Sequence, residues 1–161
     1  RVASQLGVDF LTLHTVGGSA MLEAARDAAG ETRLLGVTVL TSLGVADLEA
    51  TWGRKSPSVV EEVGRLADLA AQHRIHGVVV SPHEASSIRS RVGSEFLVVT
   101  PGIRPAGVGR DDQQRVATPA AAIAAGADYL VVGRSITRAS DPEAALYSIL
   151  TEVGLANSND G

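Results

Sequence analysis

The sequence has 161 residues, a formal net charge of −4 and no cysteine, and its length fits one domain of roughly 100–200 residues. Within these residues the lack of cysteine excludes disulfides, thiolate zinc sites and a cysteine nucleophile, and it suits the cytoplasm. The negative charge argues against a nucleic-acid-binding surface, and no apolar run approaches the roughly 20 residues that span a membrane.

Short apolar runs alternate along the chain with longer segments of helical periodicity. The nearly continuous apolar runs predict strands buried on both faces, as in a parallel sheet, over residues 9–14, 34–40, 77–80, 96–100 and 129–132. The periodic segments predict helices over residues 19–29, 56–73, 82–91, 118–125 and 141–153. In the second of these, Ser56 is expected to cap the helix and Pro57 to occupy its first position.

Five β-then-α units in succession predict parallel strands joined by helical crossovers. We expect an α/β fold that is part of a (β/α)₈ barrel, with about five units over residues 8–154, because a whole barrel takes about 250 residues. An open, doubly wound five-stranded sheet is the structural alternative. Residues 1–7 resemble the end of a preceding helix, and residues 155–161 are expected to fray.

The last two predicted strands each end at a glycine that is followed closely by an arginine. These pairs are Gly102 with Arg104 and Gly133 with Arg134. Parallel strands deliver both pairs to one edge of a sheet, where backbone N–H groups can hold an anion and a guanidinium can clamp it. The pattern predicts a phosphate site, a known feature of the last two strands of such barrels.

Other polar residues offer weaker signals. Gln113 lies in the long polar loop 105–117, which has the length of a lid or a binding loop, and its neighbours, including Arg115, compete with it for any role. Thr41 ends the second predicted strand and could either reach a ligand or cap the following turn. His14 ends the first strand and is more often packed than catalytic in such a place.

The motifs together resemble a known family. They are LTLHTVGG at 11–18, VTVLTS at 37–42, GVVVSPHEA at 77–85, VTPGIRP at 99–105, Asp112–Gln113, and DYLVVGRSIT at 128–137. This set is similar to orotidine 5′-phosphate decarboxylase of the bacterial type, over most of the chain. The most specific part of this resemblance is the occurrence of VTPGIRP followed later in the chain by LVVGRSIT.

The resemblance implies a (β/α)₈ barrel that forms a homodimer and converts orotidine 5′-monophosphate (OMP) to uridine 5′-monophosphate (UMP) and CO₂. It implies no cofactor and no metal. Residue by residue, Thr41 would contact the pyrimidine, and the phosphate side of the nucleotide would be held by Arg104, Gln113, Gly133 and Arg134. The loop 105–117 would fold over the phosphate.

The sequence differs from this family in one important respect. The family's catalytic motif is Asp-x-Lys-x-x-Asp, whose lysine protonates the C6 carbanion left by CO₂, and no such motif occurs in these residues. The one lysine, Lys55, lies in a Gly-Arg-Lys-Ser-Pro loop without the flanking acids. We therefore expect the catalytic residues to lie upstream of this chain, and the chain to be inactive alone. The alternatives are another phosphate-binding barrel enzyme of the same superfamily and a truncated copy that only binds ligand.

Overall fold

The structure, a computed structural model, describes residues 2–55, 58–105 and 115–155. Five strands are present, at the five predicted places: β1 Phe10–His14, β2 Arg33–Val37, β3 Gly77–Val79, β4 Leu97–Thr100 and β5 Tyr129–Leu130. The helices are α1 Val2–Gln5, α2 Ser19–Asp27, α3 Val45–Trp52, α4 Val59–Gln72, α5 Pro82–Val92, α6 Pro119–Ala124, α7 Arg134–Thr137 and α8 Pro142–Glu152, with a 3₁₀ turn at Thr15–Gly17. No helix of the described ranges is long and apolar enough to cross a membrane.

The strands form one parallel sheet in the order β1-β2-β3-β4-β5. A doubly wound sheet reverses its strand order at a switch point, and this order does not reverse. The open doubly wound alternative is therefore excluded, and the sheet has the strand order of consecutive units of a barrel.

A contact between the two edge strands shows that the sheet is curled. The rings of Phe10, at the start of β1, and Tyr129, at the start of β5, meet edge to face with their centroids 5.2 Å apart. In a flat sheet the four strand spacings between these edges would separate them by about 19 Å. The five strands therefore follow the curvature of a barrel wall, with both rings on its inner face.

The core lies between the outer face of the sheet and the helices that cover it. Leu34, Val78 and Val98 are each at most 1% exposed and belong to the same cluster as Val63 and Leu66 of α4. On the opposite, inner face, side chains of the two edges remain open to solvent. Tyr129 and Val131 on that side are 43% and 51% exposed.

The start predicted for the helix over residues 56–73, which is α4 in the structure, was wrong. Residues 56 and 57 lie outside the described residues, and the cap of α4 is Ser58, whose hydroxyl accepts the N–H of Glu61 at 3.1 Å. Both serines precede the same apolar pattern, and Ser58 stands three residues before Glu61, as a capping box requires.

Two strands end earlier than predicted. Beyond β2, the backbone N–H and the hydroxyl of Thr38 both donate to the carbonyl of Val79, so contact with β3 reaches one residue past Val37. The chain then enters a turn in which the N–H of Leu43 donates to the Leu40 carbonyl at 3.0 Å. Beyond β5, the N–H of Val131 still donates to Thr100 at 2.9 Å. On the β4 side, the next residue that faces β5, Gly102, accepts instead from the N–H of Ala117 at 3.3 Å.

Helix α3 was missed because it is short and lacks a conventional capping residue. It begins after Gly44, whose N–H donates to the Asp47 carboxylate at 2.8 Å, and ends at Gly53 in the left-handed conformation with φ 64°. The helix fills the long connection between β2 and α4.

A buried carboxylate fixes α4 to the segment that precedes it. Glu62 is 3% exposed, and it accepts from Arg54 at 2.8 Å and from Arg65 Nε at 2.8 Å. Burial raises the pKa of Glu62, but the hydrogen bonds and charges of Arg65 and Arg54 outweigh burial, so the net pKa lies below its ordinary value of 4.5.

We predict that Gly77→Ala destabilises the protein by about 1–3 kcal/mol, the usual cost of overpacking. A Cβ at Gly77 would lie 2.4 Å from the backbone carbonyl oxygen of Leu97 on the neighbouring strand, which cannot move aside. The matched control is Gly64→Ala in α4, where the Cβ would meet the flexible end of Arg91 at 3.1 Å and alanine favours the helix. Thermal unfolding should show a clear loss for the first variant only; equal melting temperatures would refute the account.

We also predict that Glu62 stabilises the fold only where it is ionised. Because its pKa is lowered in the folded protein, its contribution is complete above the unfolded pKa and is lost as pH falls through the folded pKa. Denaturant unfolding of the wild type and Glu62→Gln should differ at neutral pH, and the difference should shrink as pH falls below 4.5. A difference that stays constant with pH would contradict this role.

Candidate functional site

The candidate site lies where the carboxyl ends of the strands meet. All five strands run parallel, so the segments that leave β2, β4 and β5 lie along one edge of the curled sheet. These three exits carry the described residues that the sequence nominated for ligand binding.

The exit of β4 forms a turn that only glycine adopts easily. Gly102 has φ 77°, a left-handed conformation that is strained for residues with a Cβ. This turn leads to Arg104, which is 7% exposed and whose Nη1 donates to the Ile103 carbonyl at 2.8 Å. The guanidinium charge is thus held within the protein at the strand ends rather than in bulk solvent.

The exit of β5 leads into the short helix α7. Gly133 is its N-cap and accepts from the N–H of Ile136 at 2.9 Å. A Cβ built on Gly133 would meet no atom of the described residues within 4 Å, so the space beside it is open to a ligand. Arg134, the first residue of α7, is half-buried.

The structure brings these two exits together. The hydroxyl of Ser135, next to Arg134, donates to the carbonyl of Ile103, next to Arg104, at 3.4 Å. Residues 103 and 135 are thus neighbours although they are 32 positions apart. Both arginines of the predicted phosphate site therefore sit beside one contact.

The other two predicted residues have different outcomes. Thr41 lies on the exit of β2 and is 8% exposed, so little of its surface is available as described. Gln113 falls outside the described residues, and its predicted role stays a prediction.

An arginine that the sequence did not single out connects the exit of β2 to the first turn of α5. Arg115 pairs with the buried carboxylate of Glu84 at 2.8 Å, and its Nη2 donates to the carbonyls of Leu40 at 2.8 Å and Val39 at 3.3 Å. The sequence signal was weak, because Arg115 stood among several polar neighbours of Gln113. Its partners lie 31 and 75 positions away, beyond what local spacing reveals.

A hollow of about 510 Å³ opens on the inner face of the sheet. Its lining is mainly apolar and includes Val37, Leu40, Pro101 and Val131 from the strand ends, with Thr12 and His14 of β1. His14 is exposed there, contrary to the expectation that it is packed. The hollow has the size and character of a small-molecule site, which spans roughly 300–1,000 Å³.

Lys55, the lysine of the Gly-Arg-Lys-Ser-Pro segment, has a solvent-exposed side chain. It follows Gly53, the C-cap of α3, in the connection to α4. Among the described residues no group of three or more His, Asp and Glu side chains could hold a metal ion.

The comparisons with known proteins agree on one family. Residues 1–149 match the family described as "Orotidine 5'-phosphate decarboxylase / HUMPS family". The chain is 51% identical over 160 residues to the orotidine 5′-phosphate decarboxylase of Halorhodospira halophila, covering 97% of this chain and 67% of that protein. It is 50% identical over 153 residues to that of Thermobifida fusca, covering 95% of this chain and 65% of the relative.

A solved structure shows the same likeness. The crystal structure of orotidine 5′-phosphate decarboxylase from Lactobacillus acidophilus superposes with a TM-score of 0.79 at 38% identity, covering 93% of this chain and 65% of that one. The chain thus spans about two thirds of the length of the relatives it matches, and its sheet is part of a (β/α)₈ barrel. On the family match, the identities and the shared fold, this chain belongs to the orotidine 5′-phosphate decarboxylase / HUMPS family.

Proposed function

We propose that this chain carries the phosphate-binding side of an orotidine 5′-phosphate decarboxylase, the enzyme that converts OMP to UMP and CO₂ in pyrimidine synthesis. One observation within the structure supports the proposal. The Gly102–Arg104 and Gly133–Arg134 exits meet through the hydrogen bond between Ser135 and Ile103, so the two arginine-bearing segments lie next to each other at the strand ends. Membership of the family indicates that the ligand bound there is a nucleotide.

The nucleotide phosphate would lie against Gly133, where no described atom occupies the space of a Cβ. Arg134 and Arg104 would neutralise its charge, and Gln113 would complete the phosphate contacts. A guanidinium suits this task because its planar fork donates to two phosphate oxygens at once. The ribose and pyrimidine would extend into the hollow on the inner face, toward Thr41 at the exit of β2.

The bond-breaking chemistry needs groups that these 161 residues do not contain. The family resemblance implies an Asp-x-Lys-x-x-Asp motif, and this sequence has none. In the proposed division, the phosphate contacts supply binding energy that orients the reacting ring, and the acid–lysine motif of a further segment supplies the proton. The active enzyme is proposed to be a cytoplasmic homodimer that uses no cofactor or metal.

The missing motif also favours a second candidate, a copy that binds nucleotide without catalysis. The two candidates differ in one measurement on protein that includes any segment upstream of residue 1. Decarboxylation of OMP supports the enzyme, whereas UMP binding without turnover supports the ligand-binding copy.

We predict that Arg134→Ala in the active enzyme lowers kcat/KM for OMP by roughly 10- to 150-fold, the equivalent of the 1.5–3 kcal/mol of a hydrogen bond to a charged group. The matched control is Arg138→Ala, which removes an exposed arginine one turn later, at the C-cap of α7. Steady-state kinetics should show the loss for Arg134→Ala only. Equal kcat/KM values for wild type and Arg134→Ala would eliminate the phosphate role.

We predict that the 161-residue chain alone does not release CO₂ from OMP, because Lys55 is its sole lysine and lacks the flanking carboxylates. A radiometric assay with carboxyl-labelled OMP is sensitive enough to decide this. The control is the same assay on protein in which a segment bearing the acid–lysine motif precedes residue 1. Release of CO₂ by the chain alone would show that the catalytic groups lie within these residues.

A further inference from the structure

We propose that Arg115 is a positioning residue which, with Glu84, holds the backbones of the pyrimidine side and the phosphate side of the site in register. The proposal rests on the proposed function, since it assigns a role to residues around that same site. Arg115 itself is given no contact with the substrate.

The side chain of Arg115 fixes the exit of β2. Its Nη2 donates to the Leu40 carbonyl at 2.8 Å, and that carbonyl belongs to the peptide unit that joins Leu40 to Thr41. A second bond reaches the Val39 carbonyl at 3.3 Å. The position of the Thr41 backbone is therefore tied to the guanidinium.

Ala117, two residues after Arg115, fixes the exit of β4. The carbonyl of Ala117 accepts the N–H of Arg104 at 2.9 Å, and the N–H of Ala117 donates to Gly102 at 3.3 Å. Between Arg115 and Ala117, the carbonyl of Val116 accepts at 2.9 Å from Nε2 of the His83 side chain, at the start of α5. Arg115 and Ala117 thus bind the backbone at the exits of β2 and β4, and Val116 between them binds a side chain of α5.

The charge of Arg115 is held by a buried partner. The side chains of Glu84 and Arg115 are 3% and 12% exposed, and their ion pair is 2.8 Å long. Glu84 lies in the first turn of α5, directly after β3, so the pair also ties the middle strand to the arrangement. Because the pair is shielded from water, its geometry is more constrained than that of a surface ion pair.

Arginine is needed here for its shape as well as its charge. The guanidinium donates from Nη1 to Glu84 and from Nη2 to two carbonyls, and a lysine ammonium is a compact donor on a flexible stem that does not reproduce this fork. Arg115→Lys therefore keeps a positive charge for Glu84 but loosens the hold on the Thr41 peptide.

The test is the kinetics of Arg115→Lys in the active enzyme. We expect kcat/KM for OMP to fall about tenfold or more, toward the roughly 100-fold that a displacement of about 1 Å can cost. The matched control is Arg89→Lys. Arg89 also combines an ion pair, to Asp128, with bonds to the carbonyls of Gly126, Gly93 and Phe96, but these partners precede the amino ends of β4 and β5, remote from the site.

Melting temperatures distinguish an effect on the position of the site from an effect on the stability of the fold. We expect both variants to lose stability, and only Arg115→Lys to lose kcat/KM when each is assayed below its melting temperature. Wild-type kcat/KM in folded Arg115→Lys, or an equal loss in Arg89→Lys, would overturn the proposal. If Arg115→Lys does not fold, the double variant Glu84→Gln with Arg115→Gln removes both charges together, and wild-type kcat/KM in that protein would overturn it equally.

Failure of the proposed function gives a different pattern. If wild-type protein neither decarboxylates OMP nor binds UMP, the function is wrong. If the wild type is active and Arg134→Ala impairs it while Arg115→Lys does not, the function stands and the positioning role is wrong.

Discussion

The parallel order of the five strands is the constraint on which the rest of the structure depends. Because each strand enters from the same end and pairs with its neighbour in sequence, every exit opens onto one edge. The curl of the sheet, seen in the Phe10–Tyr129 contact, then turns that edge from a line into an arc. Residues that are far apart in the sequence meet at this edge, as residues 103 and 135 do at the exits of the neighbouring strands β4 and β5.

The two faces of the sheet differ in their packing, and the proposed function assigns ligand binding to the inner face. The outer face carries apolar side chains such as Val78 and Val98 into a dry core beneath the helices. The inner face keeps a hollow of about 510 Å³ with a mainly apolar lining. Close packing of neighbouring backbones stabilises the sheet, as at Gly77, where a Cβ would lie 2.4 Å from the carbonyl oxygen of Leu97. Beside Gly133, at the exit of β5, a Cβ would meet no described atom within 4 Å, and the proposed phosphate site uses this open space.

Local chemistry was enough to predict the strands and the two Gly/Arg exits, since buried parallel strands are continuous apolar runs and glycine punctuates their ends. Prediction from local sequence failed where two neighbouring residues could both cap the same helix, and where the residues that bind a side chain are distant in the sequence. Ser56 and Ser58 both precede the pattern of α4, and only the geometry selects Ser58. Arg115 looked like one polar loop residue among several because the groups that define it, Glu84 and the Leu40 carbonyl, are remote in sequence.

The proposed function requires that the two Gly/Arg exits together hold the phosphate of a nucleotide. A crystal structure of the active enzyme with UMP would show where the phosphate binds. The account predicts the phosphate against the backbone of Gly133, with the guanidinium groups of Arg104 and Arg134 within hydrogen-bonding distance of its oxygens. A phosphate bound elsewhere, with both guanidinium groups remote from it, would contradict the account.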